Sequence, residues 1–285
     1  MIDSAAGFLL AHEPWVRFAC FAAVLVAMAA WEFAAPRRAR RLARRRRWPA
    51  NLAIVAVNTL ALRILFPTAA VGIALLAERN GVGLLNAITL PAPIAILLSV
   101  LVLDLAIYGQ HAMFHHVPVL WRLHRMHHAD LDIDATTGVR FHPIEILLSM
   151  AIKLAVVAAL GLPAVGVLIF EVLLNATAMF NHGNVALPLG LDRALRRVLV
   201  TPDMHRVHHS IVRQETDSNF GFNLSWWDRL FGTYRAQPAA GHDAMTIGLT
   251  QFRDPAEQRL DRMLTQPFRH DPAAEATAEP PPDRR

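Results

Sequence analysis

Nine of the 14 histidines in this 285-residue chain fall into a pattern that suits metal binding. His111 and His115 lie in HAMFH, His124, His127 and His128 in HRMHH, and His205, His208 and His209 in HRVHH. His182 stands between the last two groups. Neutral imidazole is a strong ligand for iron, zinc, copper and nickel. On a helix, residues three and four apart are neighbours. His111 and His115 therefore point the same way, and each H-x-x-H-H places three imidazoles on one arc. Nine ligands exceed the needs of one ion and suit two, so the sequence reads as a dinuclear histidine site. The clusters are separated by varied sequence, which excludes a low-complexity histidine tract.

The remaining histidines read differently. His116 points about 100° away from His115 on a helix and is left out of the ligand set. His142, in RFHPIE, precedes a proline at a helix start and reads as structural, or as a partner of the ligands, rather than as a ligand. His12, His242 and His270 have no partners at useful spacing. There is no H-E-x-x-H, which argues against a zincin protease, and no Glu-x-x-His pair of the kind found in soluble di-iron bundles. Cys20 is the only cysteine, so no disulfide framework, zinc ribbon or iron–sulfur cluster can be built.

Hydrophobic residues make up 54% of the chain, above the usual share for a soluble domain, and its mean hydropathy is positive. Long apolar runs account for this: Val16 to Ala35, Asn51 to Ala77, Ile88 to Tyr108 and Ile144 to Phe180. A bilayer core needs about 20 apolar residues of helix, so the first three runs each read as a span. The fourth, interrupted at Gly161-Leu162-Pro163, reads as a helical hairpin. The expected fold is all-α: an integral membrane bundle of three spans plus a hairpin, with a cytosolic helical cap holding the dimetal site. PRRARRLARRRRWP, between the first two runs, carries eight arginines from Arg37 to Arg47. Flanked by apolar spans, it reads as a topology signal and lipid-headgroup contact rather than a nucleic-acid patch. The loop is then cytoplasmic, and counting crossings puts all nine histidines on that side. Met1 to Pro14 lacks a basic n-region and does not read as a cleaved signal. The tail from His270 onward is rich in Pro, Ala and charge and reads as disordered.

Several residues are expected to support the site. Asp104, two turns before His111 on roughly the same face, could hydrogen-bond a ligand imidazole. Arg63 could pair with Asp104 or Glu171. In TPDMHRVHHS, Thr201 reads as an N-cap with Pro202 at the first helical position and Asp203 in the first turn.

The ordered motifs HAMFH, WRLHRMHH, TTGVRFHPIE, FNHGN, TPDMHRVHH and DSNFGFNLSWWDRLFGTY resemble the fatty acid hydroxylase/sterol desaturase superfamily of membrane di-iron enzymes, over about residues 98 to 235. The resemblance implies residues 1–97 as N-terminal spans, 98–235 as the catalytic domain and 236–285 as a partly disordered tail. It implies two irons, with zinc as a conceivable substitute, held by His111, His115, His124, His127, His128, His182, His205, His208 and His209. Asn219 falls at a family position near the histidines. With Asp104 it makes up the candidate catalytic pair outside the ligand set. Trp227 to Thr233 matches the family's closing motif and reads as structural. Some members carry a further histidine where this chain has Ala178, which implies fewer protein ligands on one metal.

The implied activity is O2-dependent hydroxylation or desaturation of a membrane lipid (fatty acyl, sterol or isoprenoid), in a bacterial inner membrane with the site facing the cytoplasm. No redox-cofactor motif is present, so electrons must come from an external ferredoxin, cytochrome or flavoprotein reductase. Two other classes stand beside this one: a zinc-dependent membrane lipid hydrolase, and a non-catalytic metal-binding membrane protein. No nucleic acid partner is expected.

Overall fold

The computed structural model describes residues 2–269; the expectation for the tail from His270 falls outside them. Ten helices carry the architecture that matters here: α1 (Ile2–Ala11), α2 (Glu13–Ala34), α3 (Arg44–Leu65), α4 (Ala69–Asn80), α5 (Ala92–His116), α6 (Pro118–His128), α7 (Pro143–Leu160), α8 (Ala164–Asn181), α9 (Leu189–Leu195) and α10 (Pro202–His208). Among the described residues, strand pairing is limited to isolated bridges, as an all-α reading requires. Proline sets many of the boundaries. Pro14, Pro118, Pro143 and Pro202 open their helices at the first turn, where the missing N–H is no loss.

The number of spans expected from the sequence is corrected. The structure has five helical segments long and apolar enough to cross a membrane: Glu13–Ala34, Arg44–Ala87, Ala92–His116, Pro143–Leu160 and Ala164–Asn181. The last two replace the expected hairpin. Gly161 adopts a left-handed conformation (φ +62°) that ends α7, and Pro163 precedes α8. Each arm retains 18 residues, about 27 Å of helix, close to the thickness of the hydrocarbon core. The second apolar run is also less simple than one span. It breaks at Phe66-Pro67-Thr68, so that α4 folds back against α7 and α8. Phe18, Val26, Phe33, Leu60, Ile64 and Leu97 point outward, as lipid-facing side chains do.

α8 is the central helix, packed by α2, α4 and α5. Within the bundle, Glu171 of α8 pairs with Lys153 at 2.8 Å and Arg17 at 3.1 Å. Arg63, which the sequence could have joined to Glu171 or Asp104, is exposed instead.

The histidine-bearing segments gather at one end of the bundle, and the arginine run gathers there with them. Arg47 is fully buried and grips Asp130 with both faces of its guanidinium (Nε–Oδ1 2.6 Å, Nη2–Oδ2 2.7 Å) while Nη1 reaches Asp134 at 2.6 Å. Asp130 and Asp134 follow directly on the HRMHH cluster. Burial alone would raise the Asp130 carboxyl, but Arg47 and Arg140 outweigh it and hold it at about 2. Glu32, near the end of α2, accepts the backbone N–H groups of Ala135 (2.8 Å) and Asn184 (3.0 Å) and pairs with Arg44. Part of the arginine run is thus internal structure, and Arg41, Arg45 and Arg46 remain exposed.

Removing one partner of a buried ion pair leaves the other uncompensated, at a cost of about 3–5 kcal/mol. Arg47→Leu should therefore lower the unfolding midpoint of detergent-solubilised protein sharply, whereas Arg45→Leu should leave it within a degree or two of the parent.

Candidate metal centre

The structure brings the nine sequence-predicted histidines together in one buried space, none of them more than 3% exposed. They form two groups. His111, His115, His124, His128 and His208 make one, and His127, His182, His205 and His209 the other; within each, one ring nitrogen per residue lies within 4.8 Å of all the rest. Each group draws on different elements. α5 delivers His111 and His115 on adjacent turns of one face. α6 starts immediately afterwards at Pro118, because a proline cannot extend the preceding helix, and it turns His124 and His128 to the first group and His127 to the second. His182 caps α8. α10 is positioned by Thr201, whose hydroxyl accepts from Met204 N–H and donates to Asp192 at 2.6 Å; it carries His205 and His208, with His209 at its C-cap.

Hydrogen bonds fix which nitrogen faces inward. His111 Nδ1 donates to Phe220 O (2.7 Å), His127 Nδ1 to Arg140 O (3.1 Å), His182 Nδ1 to Ala178 O (2.7 Å) and His208 Nδ1 to Ser218 O (2.7 Å). A carbonyl only accepts, so in each ring Nδ1 holds the proton and Nε2 keeps a bare lone pair. His124 Nδ1 donates to Glu145 at 2.6 Å and His115 Nδ1 to Asp217 at 3.3 Å.

The Nε2 atoms converge. His111 and His124 bring theirs to 3.1 Å, His127 and His182 to 3.2 Å. Two lone pairs at that distance repel unless a cation lies between the rings. The Nε2 atoms of His115, His128, His208 and His209 are buried without a hydrogen-bond partner. Burial pushes the imidazoles of His127, His128, His205, His208 and His209 well below their usual pKa, and neighbouring imidazoles add to the shift. His182 is pushed down to about 3 by burial, against its bond to Ala178 O. Neutral rings with aimed, unshared lone pairs are what a metal ion requires of its ligands.

The loop after α10 supplies two of the carbonyls and is held from outside. Asp228 accepts from Phe220 N–H, Gly221 N–H and Thr233 Oγ1. Asp104 does not touch a histidine, contrary to the sequence expectation. It accepts from Asn223 N–H (3.3 Å), Leu224 N–H (3.1 Å) and Trp227 Nε1 (2.9 Å), so it acts on the site through this loop. Asn219 adopts a left-handed conformation (φ +53°). Its amide donates to Met204 O and Arg235 O and accepts from Arg235 N–H, which leaves no donor for the metal space. Asn219 joins α10 to the loop and is a positioning residue.

Sequence reasoning missed three supports. Glu145 lies in the quoted TTGVRFHPIE motif, two residues after the helix-opening Pro143, but its bond to His124 joins two helices and leaves no local signal. Gly138 passes so close to α8 that a Cβ would stand 2.4 Å from Ala178 O, the acceptor for His182. Gln258 receives Arg140 Nη1 at 2.8 Å and donates to Ala129 O, tying the segment after residue 255 to the carbonyl that orients His127. His142, in contrast, has the opposite tautomer. Its Nδ1 accepts from Ile144 N–H and its Nε2 donates to Leu264 O, which makes it a helix cap.

Residues 96–233 match the fatty acid hydroxylase family. That segment runs from α5 through the loop carrying Asp228, and it contains all nine histidines. The chain is 30% identical over 160 residues to ornithine lipid hydroxylase OlsE of Rhizobium tropici, an alignment covering 56% of this chain and 47% of that protein. It is 31% identical over 150 residues to alkylglycerol monooxygenase of Homo sapiens (52% of this chain, 31% of that protein) and 33% identical over 140 residues to the Xenopus tropicalis enzyme of the same name (48% and 30%). The chain thus spans less than half the length of these curated relatives. No solved structure matches it.

Glu145→Gln removes the carboxylate that orients His124, and loss of such a partner typically costs 10–100-fold in metal affinity. Chelator competition on purified protein should read a loss in that range, with all nine histidines retained. The metal-free fold should also be acid-sensitive. In the unfolded chain these imidazoles take up protons near pH 6.5, whereas the folded ones stay neutral to lower pH, His182 to about 3. Stability present above pH 6.5 is then lost as pH falls below it, which thermal unfolding between pH 7 and pH 5 should reveal.

Proposed function

We propose that this chain is a membrane-bound di-iron oxygenase that hydroxylates a C–H bond of a lipid with O2 and externally supplied electrons. The observation that carries the reading is the convergence of nine buried imidazoles in two groups, Nε2 inward, in a chain with five candidate spans. An all-nitrogen set accommodates iron, and zinc less selectively. Two adjoining all-imidazole groups beside an apolar helical bundle fit oxygen activation on a lipid chain better than hydrolysis. The names of the relatives, a lipid hydroxylase and a lipid monooxygenase, favour hydroxylation over desaturation and a polar-headed lipid as substrate.

His111, His115, His124, His128 and His208 would hold one iron, and His127, His182, His205 and His209 the other. When bound, the pair supplies O2 activation and the abstraction of hydrogen from an unactivated carbon. The protein's own residues do the rest. Backbone carbonyls at Phe220, Ser218, Arg140 and Ala178 keep each Nδ1 protonated and each ring aimed. Glu145 and Asp217 accept hydrogen bonds from Nδ1–H of His124 and His115 and so fix the tautomer that leaves Nε2 free. Phe141 stacks on His127 (centroids 4.5 Å, 9°) and packs into the apolar bundle, so an acyl chain lying along α5, α7 and α8 would meet the histidines at that ring. Low exposure throughout keeps bulk water from a reactive centre.

Orientation follows from the arginines. Arg37 reaches Asp203, two residues before His205, and Arg47 reaches Asp130, two residues after His128. The arginine run and the site therefore share one end of the bundle, and the positive-inside rule supports a cytoplasmic position for that end.

Metal analysis of detergent-purified protein from iron-replete cells is expected to give two irons per chain. His127→Ala and His208→Ala should each reduce that content and abolish turnover. With 18O2 and a reductant, lipid extracts should gain a species carrying one labelled oxygen. Two tightly held zincs, with no O2 uptake under reducing conditions, would sink the oxygenase in favour of the hydrolase.

A further inference from the structure

Electrons must enter a metal space whose histidines are nearly sealed from solvent, and the wall is thin at one place. At His115 the wall is made of partly exposed neighbours. The His115 ring lies 4.9 Å from the half-buried indole of Trp121, which also approaches His128 at 5.4 Å. Its Nδ1 is bonded to Asp217, whose side chain is 23% exposed, and its backbone carbonyl accepts from Arg213. Arg213 is itself 55% exposed, pairs with Asp217 at 2.5 Å, and lies 5.1 Å over the Trp121 ring. Exposed Arg122 and Gln214 adjoin this patch in sequence.

Other aromatic contacts to the histidines lead elsewhere. Phe220 and Phe222 are buried, Phe141 faces the apolar bundle, and exposed His116 touches only Phe220. Among the described residues, Trp121 is the ring that both touches two histidines and reaches the polar surface beyond α5.

We propose that Trp121 is the electron-entry residue and that the Arg213–Trp121 face docks an acidic one-electron carrier protein. The proposal rests on the di-iron reading above. In each encounter the carrier is oxidised by one electron and the metal pair reduced by one, through the indole and the His115 or His128 ring. No bond in this chain forms or breaks, and two encounters deliver the two electrons that one hydroxylation consumes. An exposed guanidinium over an aromatic face raises the encounter rate with an anionic partner and makes it salt-dependent. The same guanidinium, by holding Asp217, keeps the docking face and the His115 orientation coupled.

The test uses iron-loaded protein in nanodiscs, mixed anaerobically with a reduced acidic [2Fe–2S] ferredoxin while its oxidation is followed by stopped flow. Dithionite with methyl viologen serves as a small-molecule route in parallel. Trp121→Leu is expected to lower the limiting rate with ferredoxin at least tenfold at an unchanged half-saturating concentration. Arg213→Glu and Gln214→Glu should raise that concentration, Arg213→Glu by tenfold or more, and should weaken ferredoxin binding to metal-free protein in the same order. Trp121→Leu and Gln214→Glu should keep the parent's iron content and viologen-driven rate, and Arg45→Glu should change nothing. A parent-like limiting rate in Trp121→Leu, equal slowing by both routes, a dominant effect of Arg45→Glu, or a parent protein that accepts electrons from viologen but not from ferredoxin each overturns the proposal. If Trp121→Leu loses iron, the half-saturation and binding shifts in Gln214→Glu decide. A parent that binds no iron, or that viologen fails to reduce, refutes instead the reading of the site itself.

Discussion

The structure depends on burying nine imidazoles in one space. Each ring has one donor and one acceptor, and a buried donor left unmet costs about 1–3 kcal/mol. If Nε2 is to face inward, Nδ1–H must find an acceptor behind it. The acceptors come from distant parts of the chain: Phe220, Ser218, Arg140 and Ala178 carbonyls, and the Glu145 and Asp217 carboxylates. The loops at residues 138–140 and 217–223 therefore have little freedom in where they run. They are the back wall of the site as much as connections between helices.

That wall needs its own support, and the support reaches into the bundle. Asp104 lies within α5 yet binds the backbone of Asn223 and Leu224, so a candidate membrane helix fixes a loop of the polar cap. Asp228 and Asn219 clamp the same loop from the other side. Arg140, which offers its carbonyl to His127, is held by Asn51 of α3 and by Gln258 near the end of the described chain. Elements far apart in sequence thus meet on one residue, Arg140. The ion pairs of Arg47 with Asp130 and Asp134 complete the layer between the histidines and α3, where two carboxylates would otherwise lie uncompensated beside the site.

The sequence made the histidines legible because ligand geometry and helix geometry share a period: spacing by three and four is visible without any fold. The Thr201 cap and the break at Gly161 were equally local, and both are present. What depended on tertiary contact was not legible. Asp104 has the right spacing to reach His111, but its carboxylate turns to a loop more than a hundred residues away. Arg47 was hidden among like residues, since nothing local distinguishes a buried arginine from the exposed ones two positions earlier. The span count failed for a related reason. Apolar run length gives the material for helices, and the break at Gly161-Leu162-Pro163 fits a shallow hairpin as well as two crossing helices of 18 residues.

The two histidine groups differ in a way that suits them to different tasks. The group of five adjoins Trp121 and the partly exposed Asp217. The group of four contains His127, whose ring lies flat on Phe141 and so borders the apolar bundle. It is also the group in which Ala178 contributes only a backbone carbonyl. A site with fewer imidazoles has more room for exchangeable ligands. The more completely ligated group lies where reductant would arrive. On the proposed reading, electrons enter by way of Trp121 and substrate by way of Phe141. His124, one of the five, lies 5.1 Å from His127 of the other group and 6.1 Å from Phe141, with Nδ1–H bonded to Glu145, and stands where the two groups meet.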